Sequence, residues 1–463
     1  MSSRKLTVIN PFDESIVGEW PMLASGEVDA VVGRARAAFE GWRWTDMASR
    51  KALCSAFVEV FKGMADGVAA DISRQMGKPN KHALGEINRL VERATYMISI
   101  AEETLSDEWI PSESPFRRCI RHEPLGVVFD IAAWNYPLLI AVNVVVPAIL
   151  SGNAVILKHS SKTPLCGEAF VDAFAKAGAP KDLIQHVICD HAVTDAFVKH
   201  SGVDYVSFTG STTGGHEIVR GASGRFVGVG LELGGKDPAY VCADANFDYA
   251  VAECVDGAFF NAGQSCCAIE RVYVHHSIYD RFVDAFAALT KQYVMGNPLD
   301  DATNLGPMAS KGAPAFLLGQ VEDAVRRGGR AVVSAKDFRI SGSGWFAAPV
   351  VVADAPQESA LMQDESFGPV IGITPVHGDD EAVRFMNDSR YGLTASVWTS
   401  DEERVLRLAQ HIETGTVFMN RADYCDPALA WTGVKDTGRG CSLSKYGFHQ
   451  LTRLKSVHMK TTV

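Results

Sequence analysis

The sequence has little of what would assign a chain to nucleic acid, a membrane or a metal. Its 463 residues carry 44 Lys and Arg against 55 Asp and Glu, a formal net charge of −11. No extended Lys/Arg run supplies the basic stripe that a phosphate backbone requires. The most apolar run, Leu138 to Leu150, is shorter than the ~18 residues of a membrane span, and Asn143 and Pro147 interrupt it. Met1-Ser2-Ser3-Arg4-Lys5-Leu6 leads into Asn10-Pro11 with no apolar segment behind it, unlike a targeting signal. The ten cysteines (54, 119, 166, 189, 242, 254, 266, 267, 425 and 441) form no CxxC pair, so no metal site or redox motif is expected. They read as reduced, mostly buried thiols, and the chain as cytoplasmic. No G-x-G-x-x-G precedes a helix.

What remains is an ordinary globular composition, 47% hydrophobic and 21% charged. The chain is too long for one core, so two large domains are expected. The first third reads as helices. One is capped by Ser25 and carries Val28, Val31, Val32, Ala35 and Phe39 at helical spacing; others run from Ser49 to Met76 and from Ala83 to Glu103. From residue 125, short apolar runs alternate with amphipathic stretches: Gly126–Ile131, Ala154–Lys158, Ile184–Cys189, Tyr205–Thr209 and Phe226–Leu231, with helices between. Strands apolar on both faces argue a parallel sheet covered by helices, with its ligand at the strands' carboxyl ends.

A second α/β series follows Gly234-Gly235, which reads as a hinge. The fold expected is therefore α/β, with two doubly wound domains and a small β element. Residues 1–105 and 125–233 would bind a dinucleotide, with 427–445 returning to them, and 234–426 would form the catalytic domain. Residues 106–124 and 446–463, with β-like alternation in Arg117–His122 and Leu454–Met459, would be edge strands seeking partners in a homodimer or homotetramer.

Three stretches carry chemistry. In Phe259-Phe260-Asn261-Ala262-Gly263-Gln264-Ser265-Cys266-Cys267, small residues beside Cys266 leave room for a nucleophile to be approached, although a lone cysteine is more often packing and reactivity needs an exposed thiolate. In Leu231-Glu232-Leu233-Gly234-Gly235-Lys236, the leucines around Glu232 would raise its pKa toward that of a general base; a buried salt bridge is the alternative. In Phe129-Asp130-Ile131-Ala132-Ala133-Trp134-Asn135-Tyr136-Pro137, Asn135 follows the first parallel strand, where its amide can donate to an oxyanion, or serve only as a turn residue.

In this order, with 34 residues from Glu232 to Cys266, these stretches resemble the aldehyde dehydrogenase superfamily. Further matches cover roughly residues 8 to 460. They include Gly152–Lys158, Phe208-Thr209-Gly210-Ser211, Glu365-Ser366-Phe367-Gly368-Pro369, Asn387-Asp388 and Gly433-Val434-Lys435. The resemblance implies NAD(P)-dependent oxidation of an aldehyde to its acid. Cys266 would be the nucleophile, forming a thiohemiacetal and then a thioester. Glu232 would activate the hydrolytic water, and Asn135 with the Cys266 N–H would form the oxyanion hole. It places Trp134, Lys158, Ser161, Gly210, Ser211, Gly234, Glu365 and Phe367 at the cofactor. It places Tyr136, Ile140, Asn143, Ser265, Cys267, Asp423, Tyr424 and Trp431 around the substrate.

The sequence also departs from the family pattern. Many members have Pro-x-Glu after the lysine that matches Lys158, where this chain has His159-Ser160-Ser161-Lys162. Ser161 would not repel a 2′-phosphate and Lys162 could attract it, unless it points to solvent, so NADP acceptance is expected. Asn143 stands where members acting on carboxylate-bearing semialdehydes often place Arg. With Tyr136, Trp431, Asp423 and Asp426 nearby, an aminoaldehyde or another small polar or aromatic aldehyde is expected, with Arg421 able to oppose that reading. A semialdehyde such as succinate semialdehyde, a CoA-acylating relative and a non-catalytic nucleotide-binding protein are the alternatives. Esterase activity would be a side reaction. Gly438-Arg439-Gly440-Cys441, in place of the usual Gly-Arg-Glu, reads as loop variation without catalytic consequence.

Overall fold

The computed structural model describes residues 4–340 and 343–462. The first three residues of the leader reading, and the last residue of the tail segment, lie outside the described residues.

The first sheet holds the strands Val127–Ala132, Ala154–His159, Ile184–His186, Tyr205–Thr209 and Gly228–Glu232, all parallel. Every residue of Val127–Ala132 and Ala154–His159 is buried, as strands covered on both faces require. Across the sheet the order is Gly438–Arg439, Gly228–Glu232, Tyr205–Thr209, Val127–Ala132, Ala154–His159, Ile184–His186. The chain therefore builds outward from Val127–Ala132 to one side and then crosses to build on the other. The crevice at that reversal is where doubly wound sheets take ligands. Asn135 follows one of its two bordering strands and Gly210 follows the other.

Helix Pro137–Leu150 leaves the crevice with proline in its first turn, where a missing N–H costs nothing. Its N-terminus is held by the buried carboxylate of Glu86, which accepts from the Leu138 N–H at 2.8 Å and pairs with buried Lys78. The N-terminal helices Val28–Trp42, Met47–Gly63, Ala65–Met76 and Asn80–Leu105 share one core with this sheet. Phe57 and Phe174, for example, stack at 4.1 Å.

Some expectations fail locally. Ser25 does not cap the first helix. It opens a short 3-10 turn, Ser25–Glu27, in which the Glu27 carboxylate accepts from the Ala24 N–H at 2.8 Å. The stretch expected from Ser49 to Met76 breaks into two helices at Met64. The hairpin of Lys5–Ile9 with Ile16–Pro21 was hidden because its strands bury almost nothing.

The second sheet runs Arg330–Val333, Val350–Ala353, Val370–Val376, Ile269–His275, Asp237–Val241, Thr394–Trp398, Thr416–Met419. All its pairs are parallel except the first. Asp237–Val241, an inner strand, is absent from the sequence reading because Pro238 argues against a central strand. The ladder accommodates the missing donor with a register shift between Asp237 and Pro238.

The two β-like segments pair with each other. Thr452–Lys460 lies antiparallel to Phe116–Pro124 over nine residues, and Glu108–Glu113 forms the far edge. Residues 446–450 are instead helical, within Ser444–Gln450, and Phe448 is buried in the first core. No described helix is long and apolar enough to cross a membrane.

Candidate active site

The nucleophile loop is built from a backbone conformation that few residues adopt. After helix Phe247–Phe259 the chain turns through Asn261 (φ 53°) and Ala262 (φ 55°). That left-handed region is tolerable for Asn and strained for Ala. Tethers hold the strain. The Asn261 amide donates to the carbonyls of Asn135 and Gln264, both at 3.1 Å, and the Gln264 side-chain oxygen accepts from the Ala309 N–H at 2.9 Å. One side chain thus ties the cysteine loop to the backbone of Asn135. Gly235 closes the gap from the other side, because a Cβ there would collide with the Cys266 carbonyl oxygen.

Cys266, Glu232 and Asn135 line one cavity of about 500 Å³. Cys266 is half-buried, whereas Cys267 is buried and its thiol donates to Asp423 at 2.9 Å. Contact with Cys267 favours the Cys266 thiolate, but burial and the surrounding thiol and carboxylates outweigh it, so its pKa lies above the ordinary thiol value. Glu232, at the end of its strand, is pushed up to about 7 by burial, against the opposing pull of Ser442, Trp431 and Arg93. The Ser442 hydroxyl donates to its carboxylate. The loop taken as inconsequential variation is followed directly by a residue that holds Glu232.

All the expected substrate residues reach this cavity. Asp423 is enclosed by the Tyr136 hydroxyl at 3.3 Å, the Ser265 hydroxyl at 3.0 Å and Cys267. Burial raises its pKa to about 6. Tyr136 presents a ring face to the Lys78 ammonium, 4.1 Å away. The Tyr424 ring lies under the Arg421 guanidinium at 3.5 Å, and its hydroxyl donates to Glu92. Trp431 is buried beside Cys267. Asn143 accepts from Arg93 at 3.1 Å. Arg93 and Ser442 escaped the sequence reading because nothing local marks them: one lies on a distant helix and the other just past a loop.

A dinucleotide fits the residues on the other side. Ser211 caps helix Thr212–Ala222, its hydroxyl accepting from the Gly214 N–H at 3.1 Å, which leaves an anion-favouring helix start in the crevice. A Cβ on Gly210 would lie 2.6 Å from the Phe208 ring, and one on Gly234 would lie 2.5 Å from the Glu365 carboxylate. Glu365 accepts from the Gly235 N–H at 2.9 Å, and burial lifts its pKa to about 7. The Trp134 and Phe367 rings meet edge-on at 5.6 Å. Beneath this loop, buried Lys236 binds Glu270 at 2.6 Å, and Glu270 accepts from the Ser366 and Phe367 N–H groups. Lys158 is buried, and that burial lowers its pKa. Ser161 is exposed, but Lys162 does not point to solvent: its ammonium donates to the Ala309 carbonyl at 2.8 Å.

Comparison with known proteins agrees with this geometry. The model described as the aldehyde dehydrogenase family matches residues 1–457. Succinate-semialdehyde dehydrogenase [NADP(+)] 1 of Mycobacterium tuberculosis is 34% identical over 454 residues, covering 98% of this chain and 99% of that one. D-glyceraldehyde dehydrogenase (NADP(+)) of Picrophilus torridus is 32% identical, covering 99% and 93%. A betaine aldehyde dehydrogenase from Staphylococcus aureus, solved with NAD+, superposes with a TM-score of 0.94 at 28% identity, covering 99% and 92%. The chain belongs to the aldehyde dehydrogenase family.

Proposed function

We propose that the protein oxidises an aldehyde to its carboxylic acid with NAD(P), through a covalent adduct on Cys266. The observation that carries this is the meeting of a half-buried thiol, a carboxylate with its pKa near 7 and a buried strand-end amide in one cavity. The Cys266 thiolate adds to the aldehyde carbon. Asn135 and the Cys266 N–H stabilise the resulting oxyanion, each such donor being worth about 3 kcal/mol. Bound NAD(P) supplies the hydride acceptor; Ser211, Lys158, Glu365 and Phe367 are the residues to hold it. Glu232, oriented by Ser442, takes a proton from water, and the water attacks the thioester to release the acid. Hydrolysis by Glu232 favours acid formation over transfer of the acyl group to CoA.

The hydrogen bond from half-buried Lys162 to the Ala309 carbonyl keeps a cation close to Trp134, at 5.7 Å from its ring, which supports acceptance of NADP. The three-stranded sheet leaves both edges open, and Trp109 and Leu454 are 52% and 67% exposed on it; we assign it to contact between subunits.

The test is steady-state turnover of Cys266→Ala beside Cys267→Ala. The first should abolish NAD(P)H production, while the second retains most of it. Normal turnover in Cys266→Ala, or an equal loss in Cys267→Ala, would refute the assignment.

A further inference from the structure

Arg93 feels the Glu232 carboxylate across the cavity but forms no ion pair with a described residue. It projects from helix Asn80–Leu105, is only 8% exposed, and lines the cavity that holds Cys266, Glu232 and Asn135. No carboxylate of a described residue lies within 4.0 Å of its guanidinium, and its one side-chain partner is the neutral Asn143 oxygen at 3.1 Å. Buried charges are ordinarily paired, because leaving one uncompensated costs several kcal/mol. The neighbouring cations are all committed. Lys78 pairs with Glu86, Arg89 pairs with Glu92 at 2.7 Å, and Lys81 donates to the Asp301 carbonyl. Glu92, next to Arg93 in sequence, is taken by Arg89 and the Tyr424 hydroxyl.

Asp423 accepts from three donors and is not free to face an ammonium. Asp426 is not among the residues lining the cavity. Glu253 and Asp256 also line the cavity outside any described ion pair, but Asp256 is exposed and Glu253 half-buried, so solvent screens them, whereas Arg93 is a buried guanidinium.

We infer that Arg93, oriented by Asn143, is the receptor for a carboxylate at the far end of a short aldehyde substrate. This rests on the catalytic reading of Cys266 and adds the substrate class. One Nη bonds Asn143, and the remaining guanidinium donors form the planar fork that matches a carboxylate bidentately. A phosphate dianion would call for more than one free cation. Arg421 also lines the cavity, but it is exposed and stacked on Tyr424, so solvent screens its charge.

The test compares kcat/KM for 4-oxobutanoate and butanal in the wild type, Arg93→Met, Arg93→Lys and Arg421→Ala. The wild type should prefer the oxoacid. Arg93→Met should lose about a hundredfold on the oxoacid, mainly through KM, and change butanal by less than about threefold. Arg93→Lys should recover part of the loss, and Arg421→Ala should lose little. Wild-type preference for butanal, 4-aminobutanal or a phosphorylated aldehyde would overturn the inference. So would equal losses on both aldehydes in Arg93→Met, or a loss confined to Arg421→Ala. In each of those outcomes aldehyde oxidation itself persists. Oxidation of no aldehyde by the wild type would instead remove the catalytic reading on which the inference stands.

Discussion

Lowering the pH should stop turnover at the hydrolysis step, and the charge state of Glu232 sets where. Burial raises its pKa from 4.5 to about 7. A general base acts as the carboxylate, so its contribution is present above that pKa and is lost as pH falls through it. The ionised fraction is then about nine tenths at pH 8, about one half at pH 7 and about one tenth at pH 6. Where hydrolysis limits turnover, kcat should fall about tenfold per pH unit below the limb. The assay is stopped-flow NAD(P)H formation from pH 5.5 to 9, separating the first-turnover burst from the steady state. Glu232→Gln should slow the steady state far more than the burst and erase the limb. A steady state that stays flat down to pH 5.5, or a limb persisting in Glu232→Gln, would refute the role given to this carboxylate.

Other perturbations have equally definite outcomes. Ser442→Ala removes a hydrogen bond that lowers the Glu232 pKa, so the same limb should move upward by roughly one unit, the equivalent of about 1.5 kcal/mol; an unmoved limb contradicts the positioning role. Glu270→Gln leaves buried Lys236 without its counter-charge, which should cost about 3–5 kcal/mol of stability by denaturant titration. It should also raise KM for the cofactor, since the Ser366 and Phe367 N–H groups lose a carboxylate acceptor. The ratio of kcat/KM for NADP and NAD should show NADP to be accepted; an NAD preference of about a hundredfold, or about 2.7 kcal/mol, contradicts the reading of Ser161 and Lys162.

Much of the first sheet was legible because its strands are continuous apolar runs, and the crevice followed from their alternation with helices. The inner strand Asp237–Val241 was not, because Pro238 breaks the local signal and only the register shift in the assembled sheet accommodates it. Cys266, Glu232 and Asn135 could be picked from their immediate neighbours. Their supports could not, since each acts across the chain: Asn261 on Asn135, Glu270 on the loop after Glu365, and Ser442 on Glu232. Arg93 is the clearest case. In sequence it is one charge on an amphipathic helix. Its significance comes from burial beside Asn143 and from the ion pairs that already engage Lys78 and Arg89 nearby.

The account rests on a covalent acyl group at Cys266. Glu232→Gln, mixed with an aldehyde substrate and NADP and quenched in acid, should retain the acyl group as a thioester. Peptide mass spectrometry should then find the added mass on Cys266 and not on Cys267. An acyl group on Cys267, or product formed at the wild-type rate with no adduct on any cysteine, would contradict the central claim.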